Sequence, residues 1–182
     1  MNPLEVERVT VRFGGLKALS GFTLSMRPGE LVGLIGPNGA GKTTAFNAIT
    51  GVYAPTSGEV LVAGDRVNGE RPHAICRRGV ARTFQNIRLF RDLTALDNVR
   101  VACHHGARAG LLATFLRSGH FLEDEARIIG RAEEYLAVMG LSHRRDELAK
   151  GLPYGEQRRL EIARALATGP KLLCLDEPAA GM

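Results

Sequence analysis

Cysteine is scarce in this chain. Cys76, Cys103 and Cys174 are odd in number and form no CxxC pair. That argues against a disulfide framework and against a cysteine-based zinc site, and it fits a reducing cytosol. The five histidines include no HExxH or other ligand spacing, so His104-His105 reads as a solvated pair. Apolar stretches run only a handful of residues, far short of a membrane span, so any membrane role must come through a partner. The opening "MNPLEVERVT" carries Glu5 and Glu7 and has no apolar core, which excludes a signal peptide reading. A long basic run is also missing. The net charge of +5 is scattered, densest at Arg77-Arg78, Arg144-Arg145 and Arg158-Arg159, and only 5% of residues are aromatic. Without basic runs interleaved with aromatics, a nucleic-acid surface is disfavoured. An anionic small ligand, or nearby anionic head groups, accounts for the sign.

What is present is an ordinary globular composition, 45% hydrophobic and 24% charged over 182 residues, rich in glycine at 22 positions. That length suggests one domain with a real core, and the glycines suggest tight turns or ligand-cradling loops. "LEVERVTVR" (4–12) alternates as a half-exposed strand, and Gly14-Gly15 turns it. "FTLSM" (22–26) predicts a second strand closed by Pro28-Gly29. "ELVGLIG" (30–36) is nearly continuous apolar sequence, the pattern of a buried parallel strand. "TTAFNAIT" (43–50) predicts a helix with Gly51 as its stop. "GEVLVAGDRV" (58–67) reads as strand then turn, "RPHAICRRG" (71–79) as a short helix and "VARTF" (80–84) as a strand. Thr94-x-x-Asp97 opens a helix as a capping box. Helical periodicity then dominates 94–140, broken by "GARAG" and "SGH". A strand pattern returns at "KLLCLD" (171–176). The expected organisation is an α/β domain interrupted by a helical insertion, with no internal repeat.

"LIGPNGAGKTT" matches G-x-x-x-x-G-K-[ST] at Gly36, Gly41, Lys42 and Thr43. Small residues let successive backbone N–H groups turn inward around a polyphosphate. The helix beginning at Thr43 aims its dipole and unpaired amides at the same charge. Lys42 reaches the terminal phosphates, and the Thr43 hydroxyl can ligate Mg²⁺. A Gly-rich strand-to-helix turn is the plainer alternative.

At the far end, "LLCLDE" delivers two acids from an apolar strand. Strands of an open α/β sheet present their C-terminal ends to the ligand crevice. Asp176 there can hold Mg²⁺, and Glu177 can orient or deprotonate an attacking water. A strand ending in solvated acids before Pro178 is the simpler reading when the motif stands alone. Asp176 follows Lys42 by 134 positions, longer than a small nucleotide kinase or GTPase would usually use, and no NKxD-type guanine reader is present.

Before that strand stands "LPYGEQRRLEIARALATGPKLLCLDEP". Here the chain resembles the ATP-binding subunits of ABC transporters, essentially from residue 4 to the end. "GPNGAGKTT" resembles their Walker A, so the resemblance assigns nucleotide binding to Gly36, Pro37, Asn38, Gly39, Ala40, Gly41, Lys42, Thr43 and Thr44. "RTFQNIRLF" resembles their Q-loop with Gln85, "LLCLDEP" their Walker B with Glu177 as catalytic base, and "LPYGEQ" their signature motif. Phe13 sits where the family stacks an aromatic on adenine, with strand-edge packing as the alternative. The finer likeness is to LivG-type subunits of branched-chain amino acid importers, carried by "RTFQNIRLF", "LTALDNV", "LPYG", "RRLEIARALAT" and "DEPAAGM". The implied fold is a P-loop NTPase (ABC ATPase) core with an inserted helical subdomain and an N-terminal antiparallel β region. The segments would be an ATP-binding core (1–85), a helical subdomain (86–150), then signature helix and Walker B strand (151–182).

The resemblance further implies ATP with Mg²⁺ held by Thr43, Gln85 and Asp176, and catalysis by Glu177, Gln85 and Lys42. It implies integral membrane permease subunits, a second ATPase subunit in a heterodimer, an indirect link to a periplasmic solute-binding protein, no nucleic acid, and a peripheral place on the cytoplasmic face of the membrane. Gln85, the helical insertion and "LLATFL" (111–116) would contact the permease, although "LLATFL" could equally be the insertion's core. Two departures stand out. The general signature is Leu-Ser-Gly-Gly-Gln, but here it is Leu152-Pro153-Tyr154-Gly155-Glu156, followed by Gln157. Pro153 has neither hydroxyl nor N–H, so the serine contact to a phosphate is lost, while Tyr154, Gly155, Glu156 and Gln157 keep the helix start. The family also places a D-loop, a strand and a switch histidine after Walker B, and the last histidine here is His143. The expectation is therefore a C-terminally truncated subunit. Alternatives are a non-transport ABC ATPase acting on nucleic acid or ribosomes, and a truncated copy that binds ATP without turnover.

Overall fold

Leu4, Val6, Val9 and Val11 all lie in one core. A strict period-two strand would send Leu4 and Val6 to one face and Val9 and Val11 to the other. The pattern is rephased at Arg8, whose φ is 45°. Pairing with both neighbouring strands shifts register across this residue, which is a β-bulge. Gly58 accommodates it: with φ at +84°, a Cβ there would lie 2.4 Å from the Glu7 carbonyl oxygen and 2.5 Å from that of Arg8.

In this computed structural model, residues 1–104 and 119–177 are described. The chain divides into two units, one of Met1–Arg82 with Lys171–Asp176 and one of Thr83–Pro170 with Glu177–Met182. "LLATFL" and "AAGM" lie outside the described residues.

In the first unit, β1 (Leu4–Phe13), β2 (Leu16–Met26), β3 (Ser57–Val62) and β4 (Asp65–Arg66) form an antiparallel sheet in the order β2-β1-β3-β4. β2 begins six residues before the expected "FTLSM", because the Gly14-Gly15 turn brings Leu16 straight back onto Phe13. Helix α1 (Lys42–Ile49) ends two positions before Gly51, and α2 (Pro72–Arg77) starts on a proline. Strands β5 (Val80–Arg82) and β6 (Leu172–Cys174) pair in parallel. The core joins β1, β3, α1, Ile75, Val80, Leu172 and Cys174.

Residues 30–36 depart from expectation. They form no strand, and Leu31 and Ile35 are 97% and 95% exposed. An apolar run becomes a strand only when a neighbour satisfies its N–H and C=O groups. Among the described residues no strand pairs with this segment.

The second unit is helical. Thr94 caps α3 (Ala95–Cys103): its Oγ1 accepts the Asp97 N–H at 3.0 Å and donates to the Asp97 carboxylate at 2.9 Å. Helix α4 (Gly119–Val138) buries Asp124, Ile128, Ala132 and Leu136, four apart and therefore on one stripe. Helix α5 (Tyr154–Ala167) completes the core with Leu160, Ala163 and Ala167. Asn98, fully buried, exchanges hydrogen bonds with both backbone groups of Phe90 and donates to the Thr94 carbonyl, fixing the turn before α3.

Candidate nucleotide site

The 36–44 loop of the first unit stands at the start of α1. Gly41 precedes the helix at φ +87°, in the left-handed region, and a Cβ there would lie 2.6 Å from the Ala18 carbonyl oxygen. Glycine is needed on both counts. The first amides of α1 have no acceptor within the helix, which leaves donors and the positive end of the dipole beside an exposed Pro37-Asn38-Gly39-Ala40 turn. The Lys42 ammonium donates to the Gly36 carbonyl and, at 2.9 Å, to that of Pro37. The same carbonyls thus hold a cation over the loop, where a polyphosphate would compete for it. Thr43 is exposed and Thr44 half-buried. Phe13 ends β1 half-exposed and meets Tyr53 edge to face, ring centroids 4.9 Å apart. Tyr53 carried no sequence motif.

Asp176 follows β6 in the same unit and is 6% exposed. Arg82, at the end of the paired strand β5, donates to its Oδ2 at 2.9 Å. The Arg82 guanidinium also donates to Asn47 Oδ1 at 2.6 Å and lies 5.4 Å from the centre of the Phe46 ring. Asp176 is therefore tied to α1, the helix that begins with Lys42. Cys174, two residues earlier, has its thiol pushed up to about 11, first by burial and then by the Asp176 charge, with Arg82 opposing. Its sulfur is a packing atom, not a nucleophile. The Thr43 hydroxyl and the Asp176 carboxylate are hard oxygen donors, the type Mg²⁺ takes with phosphate and water completing its shell. No cluster of three or more acidic, histidine or cysteine ligands exists among the described residues, so phosphate would have to supply part of that shell.

In the second unit, Gln85 is exposed and its Nε2 lies 3.4 Å from Glu177 Oε2. Glu177 has φ 48°, a left-handed conformation that a non-glycine residue holds at a cost. Arg158 Nη2 donates to its carbonyl at 3.0 Å. Helix α5 starts on Pro153, with no side-chain cap. Tyr154 is half-exposed, and a Cβ on Gly155 would meet nothing within 4 Å. Glu156 sits in the first turn with the Arg144 guanidinium 3.0 Å away, and Gln157 Nε2 donates to the Leu152 carbonyl at 2.8 Å. Pro153 and Tyr154 are exposed at the helix start, and the Glu156 and Gln157 amides both donate to the Pro153 carbonyl at 2.9 Å.

A family model described as ABC transporter matches residues 19–180. The chain belongs to the ABC transporter family. It is 45% identical over 179 residues to the high-affinity branched-chain amino acid transport ATP-binding protein LivG of Escherichia coli K12, covering 98% of this chain and 70% of that one. Identity to BraF of Pseudomonas aeruginosa, of the same description, is also 45% with the same coverage. A probable LivG of Archaeoglobus fulgidus is 36% identical over 183 residues, covering all of this chain and 70% of its own. Among solved structures, the ADP conformation of an ATP-binding cassette of an ABC transporter superposes with a TM-score of 0.83 at 32% identity, covering all of this chain and 71% of that one. A dimeric cassette in a post-hydrolysis state with ADP and Pi gives 0.80 at 29% identity, covering 98% of this chain and 75% of that one. The fold is that of ABC ATPases, and this ABC family member is an ATPase domain that handles nucleotide. The expected likeness to the branched-chain subgroup and the expected P-loop fold both hold. No described helix is long and apolar enough to cross a membrane.

Proposed function

We propose that this chain is an ATP-hydrolysing subunit of an importer for branched-chain or similar amino acids. The observation that carries the reading is the 45% identity to LivG and BraF along 98% of the chain. Gly36 to Thr44 bind the phosphates, Lys42 counters charge on the terminal one, and Phe13 stacks on the base. Thr43 and Asp176, with Gln85, would hold Mg²⁺, which when bound would screen the phosphate oxygens. Glu177 orients the attacking water and takes its proton, with Gln85 beside it. Tyr154 to Gln157 present the start of α5 to the phosphates of an opposing ATPase subunit. With Pro153 in place of serine that contact rests on backbone groups. The likeness to the LivG-type subunits supports a second ATPase subunit with an intact signature, in a heterodimer with unequal sites. The chain works at the cytoplasmic membrane face on permease subunits, fed indirectly by a solute-binding protein.

The test is co-expression with candidate permease subunits and a second ATPase subunit. Copurification and ATP-driven amino acid uptake in vesicles are expected. DNA- or ribosome-stimulated ATP hydrolysis without permease association would instead favour a non-transport ATPase. Lys42→Ala should abolish binding of a fluorescent ATP analogue, and unchanged affinity would sink the P-loop assignment.

A further inference from the structure

Helix α5 carries a row of charged side chains that a surface helix would turn outward. Arg158 and Glu161 are instead 1% and 5% exposed. They stand three apart, so they share a face. Both are spent on the backbone of one loop. Arg158 Nη1 donates to the Phe84 carbonyl. Glu161 Oε1 accepts the amides of Phe84 and Arg88, at 3.4 and 3.2 Å. The two charges also bond each other, Arg158 Nη1 to Glu161 Oε2 at 2.8 Å. One turn further along, Arg164 donates to the Arg88 carbonyl, and its guanidinium lies 4.8 Å from the centre of the Phe90 ring. The loop 84–90 is thus gripped on both sides of Gln85, which itself stays exposed.

The other half of the same guanidinium reaches elsewhere. Arg158 Nη2 holds the Glu177 carbonyl, on a residue whose backbone is left-handed. Such a conformation persists when its surroundings over-determine it. One buried arginine therefore fixes the backbone beside Gln85 and the backbone of Glu177 together, and the two side chains then meet at 3.4 Å. A buried ion pair adds little net stability compared with apolar residues of the same volume. Its value here is geometric.

We propose that Arg158 and Glu161 are positioning residues that set the mutual placement of Gln85 and Glu177, and so control the hydrolysis step far more than the P-loop's hold on the nucleotide. This rests on the ABC ATPase reading. It concerns neither the P-loop nor the exposed start of α5. A displacement of about 1 Å in a reacting group costs roughly 100-fold in rate. Binding energy supplied by the P-loop would be untouched.

The test uses the subunit assembled with its permease and partner ATPase. Replacing a single partner strands a buried charge, so the informative variant removes both: Arg158→Met with Glu161→Leu, which keeps volume. The expected result is normal melting, normal binding of a fluorescent ATP analogue, KM within about twofold of wild type and kcat down about 100-fold. Hydrogen exchange at the Phe84 and Arg88 amides should accelerate while α5 stays protected. A purely structural pair would instead give wild-type kcat in a variant that melts normally, and that outcome overturns the proposal. If the double variant does not fold, Arg158→Lys decides. It keeps the charge but cannot span both carbonyls, so kcat should fall about tenfold at unchanged KM. Unchanged kcat overturns the proposal in this arm too. Failure of the wild type to bind the ATP analogue through Lys42 would overturn the functional reading itself, and the amide exchange would still report whether the clamp exists.

Discussion

Arg82 and Asp176, 94 positions apart, form an ion pair at 2.9 Å with side chains only 6% and 9% exposed. Adjacent parallel strands deliver them to the same edge, Arg82 at the end of β5 and Asp176 just past β6. Arg82→Ala takes away the neutralising guanidinium and should destabilise the chain by about 3 kcal/mol. Adding Asp176→Asn should recover part of that loss, because the pair is coupled. Urea unfolding of the two single variants and the double variant checks it. Strict additivity would show that the pair does not interact in solution.

Gly41→Ala should harm folding and nucleotide binding together. The new methyl would sit 2.6 Å from the Ala18 carbonyl oxygen, at a φ of +87° that alanine resists. A loss of about 1–3 kcal/mol is expected from the strain. The Lys42 amide and ammonium would shift with the loop, so affinity for an ATP analogue should fall as well. Thermal melting and equilibrium binding on one preparation measure both effects.

Cys174 should make stability fall with alkali. Burial raises its folded value from 9.0 to about 11, so the folded state keeps a proton that the unfolded state gives up. Its contribution is fully present below about pH 9 and is lost as pH climbs toward about 11. The difference in urea midpoint between wild type and Cys174→Ala should therefore shrink across that window. At about pH 8.5 the folded thiol should react with iodoacetamide far more slowly than the unfolded one. Equal rates would mean that the sulfur is not shielded.

Local chemistry was readable from the sequence wherever a short stretch decides its own conformation. Thr94 caps α3 through the Asp97 amide, although the Asp97 carboxylate takes the Thr94 hydroxyl rather than its N–H; α1 stops just before Gly51, and the Gly14-Gly15 turn pairs β1 with β2. Pairing across distance was less readable. The bulge at Arg8 is invisible without Gly58 opposite it. The apolar pattern of 30–36 states what the segment could bury, but strand formation needs a neighbour's hydrogen bonds. In the candidate site, glycines, lysine and paired acids have a motif. Arg82, Arg158 and Glu161 have none, since a charge inside a helix or strand usually points to water. Arg158 and Glu161 stand three apart on one helical face, but Leu160 and Ala163, which mark the apolar side of the helix, lie away from it, so the sequence pattern carries no sign of their burial.

Residues 31–35 have a consequence for handling the protein. Leu31 and Ile35 are almost wholly solvent-facing, on backbone that no described strand pairs. Exposed apolar side chains on unpaired backbone are a hazard for association with other extended chains. The segment also leads directly into the proposed phosphate-binding loop at Gly36. Concentration and the company the chain keeps therefore become variables of nucleotide binding: what adheres to 31–35 and what binds at 36–44 draw on adjoining stretches of the same backbone.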